Sequence, residues 1–257
     1  MKRLDAALCE LKLAPSRSKA HELISSGEVE VRLAGEWKRI TQPSFKIQDF
    51  SGENIRLNAE APLLKYVSRG GLKLEGALDR LKVTVQGWRA LDLGVSTGGF
   101  TDCLLQRGCQ AVIGVDVGHG QLAPKLAGDP RLTHFEGVNA RAVHEHEPIR
   151  KLVGTGLDLC VADLSFISLQ LILPALDALL PAQTRLLALV KPQFEAGPQR
   201  LGSGGVVRDP AVFAEVQTEI LRALAKYGFS TEERDYFPSS LKGQDGNQEF
   251  FVYARRT

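Results

Sequence analysis

The stretch RALDLGVSTGGF, residues 89–100, decides the fold. Its first five residues are a short, mainly apolar run that reads as a buried strand. A glycine-rich turn follows. Gly94, Gly98 and Gly99 let the backbone turn tightly and approach a ligand closely. A helix is expected to start near Gly99. The spacing is GxxxGG, whereas a dinucleotide dehydrogenase usually carries GxGxxG and a P-loop ATPase carries GxxxxGK[ST].

Outward from this stretch, strand-like and helix-like segments alternate. Strand candidates are residues 89–93, 111–115, 132–135, 157–162 and 185–190. That alternation predicts a mostly parallel α/β sheet. Residues 230–236 and 249–254 are expected to add an antiparallel edge, for seven strands in all. Asp116 ends the second strand, 24 residues after Asp92. A carboxylate there can accept both hydroxyls of a ribose. Loop and acid together point to an adenosine-containing cofactor. Asn139, after the third strand, is a candidate for the adenine edge or else a turn-stabilising asparagine.

The loop and acid resemble those of class I S-adenosylmethionine-dependent methyltransferases. The resemblance implies S-adenosylmethionine as cofactor and a Rossmann-like fold. Gly94, Ser96, Thr97, Gly98, Gly99 and Phe100 would surround the methionine part. Asp92 would orient the loop and its ligand, and Asp116 would hold the ribose.

Four further residues suggest the chemistry. They are Lys73 in SRGGLKL, Asp163 in ADLSF, Lys191 in LVKPQFE and Glu249 in GNQEFF. The carboxyl ends of strands line the ligand crevice of an open α/β sheet. Asp163 and Lys191 therefore fall beside the glycine loop. The order Lys–Asp–Lys–Glu resembles the tetrad of FtsJ-type ribose 2′-O-methyltransferases. A ribose hydroxyl must lose its proton as it attacks. A neutral lysine can take that proton, and free lysine has a pKa near ~10.4. Burial and a second cation lower it. Lys191 is assigned as base, with Lys73 as the second cation. Asp163 would orient Lys191 and the methyl donor, and Lys73 and Glu249 would position the hydroxyl. The bland alternative is a set of structural ion pairs at strand ends.

The first 60 residues read as a small separate unit. Leu4, Leu8 and Leu11 recur at helical spacing. Pro15 and Ser16 start a second helix, Ala20, Leu23 and Ile24 give it an apolar face, and Gly27 stops it. Val29 and Val31 then alternate with glutamates, as in a half-buried strand. This unit holds ten basic and nine acidic residues. Lys2, Arg3, Arg17 and Lys19 gather at the two helix starts, where phosphates bind well. The pattern RLDxxL followed by SRSxAxxLIxxGxVxV resembles a small RNA-binding domain shared by a ribosomal small-subunit protein, pseudouridine synthases and a tyrosyl-tRNA synthetase. The resemblance implies contacts to structured RNA through Arg3, Arg17, Ser18 and Lys19.

Residues 61–90 carry six basic and two acidic residues, the largest local imbalance. Counterion release lets such clusters bind polyanions. Pro62 and Gly70-Gly71 mark a linker, and a helix is expected over 72–81. The division is thus 1–60 for the small domain, 61–71 for the linker and 72–257 for the catalytic domain. Arg69 joins the RNA-facing candidates. So do Arg200 and Arg208, in the glycine-rich stretch GPQRLGSGGVVRD, with a surface loop as the alternative.

The full set of motifs, with STGGFTDCLLQ, VDVG, ADLSFISL, VKPQFE and GNQEFF, is similar to the TlyA family. These are rRNA 2′-O-methyltransferases historically labelled hemolysins. The resemblance implies methylation of a cytidine ribose in ribosomal RNA, in subunits or assembling particles.

Composition bounds the alternatives. The chain has 257 residues, 44% hydrophobic and 24% charged, with a net charge of +2. A collagen-like, coiled-coil or disordered chain is excluded. The four cysteines form no CxxC pair, so neither a zinc knuckle nor a disulfide scaffold is expected, and a cytoplasmic setting fits. Asp5, Glu10 and Lys12 interrupt any signal-like apolar run. Residues 164–184 read as a loop and a buried helix, with a transmembrane span as the alternative. The histidines of HEHE, residues 144–147, lack an evident third ligand, so no metal is expected. Trp37 and Phe45 are expected in the small-domain core rather than as base-stacking platforms. A membrane-active hemolysin and a non-catalytic RNA-binding protein are the competing readings.

Overall fold

The computed structural model describes residues 1–58, 62–243 and 245–257, with Pro62 and Leu63 described by backbone alone. The chain forms two compact units, Met1–Ser68 and Arg69–Thr257. The expected domain boundary between 60 and 61 involves residues outside those described.

In the first unit, α1 (Leu4–Glu10) and α2 (Arg17–Ser25) pack beside two small sheets. β1 (Lys2–Arg3) pairs with β4 (Lys46–Ile47). β2 (Val29–Leu33), β3 (Glu36–Ile40) and β5 (Ile55–Leu57) form an antiparallel sheet in the order β3-β2-β5. Ser16 caps α2 by accepting from the Lys19 N–H. At the other end the Glu28 N–H reaches the Leu23 carbonyl and the Gly27 N–H reaches that of Ile24. This closure needs a left-handed residue, and Gly27 supplies it with φ +75°. Leu4, Leu8, Leu23, Ile24, Val29, Val31 and Ile55 form the core. Trp37 and Phe45 are only half-buried. Register puts Trp37 opposite Arg32, on the sheet face away from Val29 and Val31. That corrects their expected place in the core.

The second unit opens with α4 (Arg69–Leu81), which follows the short α3 (Pro62–Lys65) of the first. Gly70 and Gly71, expected in a linker, lie in the first turn of α4. Glycine weakens a helix only by about 1 kcal/mol, so the apolar stripe of Leu74, Ala77 and Leu78 prevails.

The large sheet contains β6 (Arg89–Leu93), β7 (Ala111–Val115), β8 (Leu132–Phe135), β9 (Leu159–Ala162), β10 (Arg185–Val190), β11 (Phe229–Ser230), β12 (Tyr236–Pro238) and β13 (Phe250–Arg256). Its order is β11-β13-β10-β9-β6-β7-β8, with β12 also on β13. The five strands from β6 to β10 are parallel and β13 is antiparallel. The expected single strand at 230–236 is two short ones. A 3-10 turn over Glu233–Asp235 interrupts it, fixed by reciprocal capping between Glu232 and Asp235. Both pieces then pair with the same edge of β13.

The remaining helices are α5 (Gly99–Gln106), α6 (Pro124–Ala127), α7 (Glu147–Gly154), α8 (Leu173–Leu179), α9 (Pro192–Glu195) and α10 (Pro210–Lys226). One sheet face, with Leu91, Leu93, Cys160, Leu186 and Val252, packs with residues of α7, α8 and α10. The other, with Ala90, Val161, Leu187 and Phe251, is also buried. Burial on both faces explains the nearly unbroken apolar strands. Among the described residues, no helix is long and apolar enough to cross a membrane.

Phe251 is fully buried and stacks on Phe100 of α5 and on Phe237 of β12. Phe251→Ala leaves a cavity there and is expected to cost about 3–5 kcal/mol. A lower urea midpoint at unchanged slope checks this; an unmoved midpoint would contradict it.

Candidate active site

Asp92, near the end of β6, is fully buried. Its Oδ2 accepts from the Thr101 hydroxyl at 2.6 Å. Its Oδ1 has no hydrogen-bond donor among the described residues. Burial pushes this carboxyl up to about 7, against the Thr101 hydrogen bond, and Asp163 and Asp116 add to the rise. A cationic group meeting that oxygen would satisfy it. The glycine loop follows. A Cβ on Gly94 would lie 2.4 Å from the Asp163 carbonyl oxygen, and one on Gly98 would lie 2.3 Å from Leu126. Both glycines also have φ near +90°. Gly99 starts α5 as expected. Phe100, expected near the ligand, is buried and its ring belongs to the stack with Phe251.

Asp116, just past β7, accepts the Ser96 N–H at 2.7 Å and the Gly118 N–H at 2.7 Å. A carboxylate offers about four acceptor positions, so roughly two remain for ribose hydroxyls. Ser96 has φ +48° and donates its hydroxyl to Gln121 Oε1 at 3.1 Å. Thr97 is exposed, and its carbonyl accepts from the Ala123 N–H. Asn139 caps the 3-10 helix Ala140–Glu145 through its Oδ1. Its side-chain oxygen therefore stabilises the turn, leaving its amide NH₂ and one acceptor position to meet a ligand.

The four charged residues make two pairs. Lys191 Nζ lies 2.7 Å from Asp163 Oδ1, at the ends of the adjacent strands β10 and β9. That contact is ionic without an aligned hydrogen bond. The lysine donates instead to Ser165 Oγ at 2.9 Å. Lys73, from α4, meets Glu249 Oε2 at 2.5 Å. Lys73, Lys191 and Glu249 are all buried. Lys73 is expected to be the second cation beside Lys191, with Glu249 opposing it electrostatically. In the structure it shares its charge with Glu249, because a buried ammonium without a counterion is too costly. Gly243 makes room for Glu249, since a Cβ there would lie 2.8 Å from Glu249 Oε1.

Sequence reasoning missed several neighbours. Phe166 is 90% exposed with φ +64°, directly after Ser165. A bulky residue in that region is strained. Its ring tilts against Phe194 of α9 with centroids 5.3 Å apart. Glu195 holds this loop, accepting from Ser168 Oγ at 2.5 Å and the Leu169 N–H at 2.7 Å. Burial raises the Glu195 carboxyl pKa against these bonds. Asn247, also buried, accepts the Val207 N–H and donates to the Gly205 carbonyl. It thereby pins the glycine-rich loop two residues before Glu249. Arg200 of that loop pairs with Glu215, and Arg208 is exposed.

In the first unit, Arg3 and Arg17 converge on Asp5 Oδ2 at 2.9 and 3.0 Å. Their guanidinium groups, with Arg3 contributing most, hold the Asp5 carboxyl below its ordinary range. Both arginines remain at least half exposed, whereas Lys19 is largely covered and pairs with Glu22. Ser18 is exposed. Arg69 opens α4 in the second unit. His144 and His146 bracket the end of a 3-10 helix, where the His146 ring meets Phe135 edge-on.

This strand order and glycine loop are those of a methyltransferase. The FtsJ-like methyltransferase family profile matches residues 66–256, and the S4 domain profile matches residues 2–53. The chain belongs to the FtsJ-like methyltransferase family, in the S4-bearing group that includes TlyA. It is 40% identical over 253 residues to the 16S/23S rRNA (cytidine-2′-O)-methyltransferase TlyA of Mycobacterium tuberculosis, spanning 98% of this chain and 89% of that protein. Hemolysin A of Brachyspira hyodysenteriae is 34% identical, with 98% of each chain covered. A solved structure from Streptococcus thermophilus, under a provisional hemolysin label, is 37% identical with a TM-score of 0.73 and covers 100% of this chain and 88% of its own.

Folding raises the Asp92 pKa, so its ionisation opposes folding. The penalty is absent below about pH 4, grows as pH rises, and is complete above about 7. Asp92→Asn keeps an acceptor for Thr101 and cannot ionise. It is expected to be more stable than the native chain at pH 8, by at most on the order of 4 kcal/mol, with the gain vanishing near pH 4. Urea unfolding across this range checks it; a gain independent of pH would contradict it.

Proposed function

We propose that this chain methylates the 2′-hydroxyl of a cytidine in ribosomal RNA, using S-adenosylmethionine. The observation that carries the reading is Lys191, held by Asp163 and Ser165 at the strand ends beside the glycine loop. The printed names of the relatives from Mycobacterium tuberculosis and Campylobacter jejuni, both rRNA (cytidine-2′-O)-methyltransferases, support the substrate.

The residues present fit the cofactor. The buried, unsatisfied Asp92 Oδ1 suits its cationic methionine end. Gly94, Ser96, Thr97, Gly98, Gly99 and the Phe100 backbone form the loop around it. Asp116 has acceptor capacity for the ribose, and the Asn139 amide would meet the adenine edge. S-adenosylmethionine, when bound, supplies an electrophilic methyl group on a sulfonium sulfur. Lys191 Nζ is the group that takes the proton of the ribose hydroxyl as that oxygen attacks. Asp163 and Ser165 hold the amine in place. The Lys73–Glu249 pair positions the hydroxyl from the other side. Phe166, exposed and supported by Phe194, stacks on the base of the target nucleotide.

The small domain, within Met1–Ser68, carries the catalytic unit, Arg69–Thr257, to RNA. Asp5 orients the Arg3 and Arg17 guanidinium groups toward phosphates, with Ser18 and Lys19 alongside. Arg69, Arg200 and Arg208 add contacts nearer the target. The partner is ribosomal RNA in subunits or assembling particles, which places the reaction in the cytoplasm.

Lys191→Ala is expected to slow single-turnover methyl transfer to ribosomal subunits by about 100-fold or more, while the cofactor dissociation constant stays within about twofold. Rapid-quench transfer and calorimetric titration check the two halves. Retained turnover would remove Lys191 as the base.

A further inference from the structure

The outer face of the β3-β2-β5 sheet has an unusual composition. Register places Glu30, Arg32, Trp37, Arg39 and Arg56 together on it. It carries no aliphatic side chain, and its three arginines face one glutamate. Arg56 sits over the Trp37 indole, with its guanidinium carbon 4.2 Å from a ring centroid. Glu30 fixes that orientation from the edge, at 2.7 Å to Nε and 2.6 Å to Nη2. Arg39 is exposed and has no ion pair among the described residues. Between these residues lies an open depression of about 380 Å³, walled by Glu30, Arg39, Arg56, Leu57, Asn58 and Gly27. A Cβ on Gly27 would stand 2.9 Å from Arg39 Cδ, so glycine is what lets Arg39 lie along the rim.

An isolated surface arginine would be mobile, and its guanidinium plane would present no fixed face. Here Trp37 and Glu30 hold the guanidinium in place while the Arg56 side chain stays half exposed. A fixed guanidinium plane is a stacking surface for an unpaired base. An arginine without a counterion beside it suits the phosphate of the same nucleotide.

We propose that this face is a second RNA contact, distinct from the helix-start arginines, and that it takes one unpaired nucleotide. The base extends the Trp37–Arg56 stack and the phosphate sits at Arg39. The inference rests on the RNA reading above and says which kind of RNA the small domain selects. Helix-start arginines read backbone shape, whereas this face requires a strand end, bulge or loop. A duplex offers no free base to it.

The test uses the full chain with Trp88→Phe, so that Trp37 is the one remaining tryptophan of two. A short oligouridylate is titrated while Trp37 emission and the anisotropy of labelled RNA are followed. Emission is expected to change saturably. Arg39→Ala and Arg56→Lys are each expected to raise the dissociation constant about fivefold or more. Arg56→Lys keeps the charge and loses the plane, so it separates stacking from charge. Arg39→Ala should also reduce the salt slope by about one. A blunt RNA duplex of equal length should not compete. Circular dichroism confirms that the variants are folded.

Unchanged Trp37 emission while anisotropy reports binding would overturn the inference, as would native affinity in both variants. Equal competition by polyglutamate would mean a general anion surface and would also overturn it. If Arg17→Ala loses binding to an rRNA fragment and the sheet-face variants do not, this inference fails and the RNA reading stands. If the native chain binds no RNA at all, both fail.

Discussion

The tips of β6 and β9 meet at Gly94. Its backbone runs so close to Asp163 that a Cβ would fall 2.4 Å from the Asp163 carbonyl oxygen. The Asp163 N–H in turn donates to the Leu93 carbonyl at 3.0 Å. This one approach joins the two halves of the site. On one side it sets the glycine loop, Asp92 and the start of α5. On the other it sets Asp163, and through it Lys191 and Ser165. Any side chain at Gly94 would push the loop from the ion pair, and a misplacement of about 1 Å can cost catalysis about 100-fold.

Electrostatics divides the site in a useful way. Asp92, Asp116 and Asp163 cluster at the strand ends, and their mutual repulsion contributes to the raised Asp92 pKa. A concentration of carboxylates favours a cationic ligand. The lysines answer this charge separately, Lys191 at Asp163 and Lys73 at Glu249. The small domain uses the opposite arrangement. There a single mostly buried aspartate, Asp5, gathers two arginines that stay exposed. The acid holds the cations without covering them, which suits a surface that meets phosphates.

The sheet was largely legible because its strands are buried on both faces. Residues 89–93, 111–115 and 185–190 read as mainly apolar runs, and they and residues 132–135 form strands with the expected bounds. The glycine loop and the strand-end residues Asp163 and Lys191 were legible for the same topological reason. What was not legible depends on contacts distant in sequence or on backbone angles. The pairing of Lys73 with Glu249 joins residues 176 positions apart. The exposure of Phe166 carries no sequence signal of its own and goes with a positive φ. Trp37 also read as core; the register of β2 with β3 puts it on the outer face instead. Gly70 and Gly71 looked like a linker because local propensity ignores the apolar stripe that stabilises α4.

Chemistry at a ribose hydroxyl leaves a signature that no other methylation leaves. A 2′-O-methyl group blocks alkaline cleavage of the adjoining phosphodiester bond. The direct measurement is transfer of tritiated methyl from S-adenosylmethionine to isolated small and large ribosomal subunits, followed by alkaline hydrolysis of the rRNA. The label is predicted in alkali-resistant dinucleotides whose 5′ nucleoside is cytidine. Label in mononucleotides would place the methyl on a base, and no label despite bound cofactor would remove ribosomal subunits as the substrate.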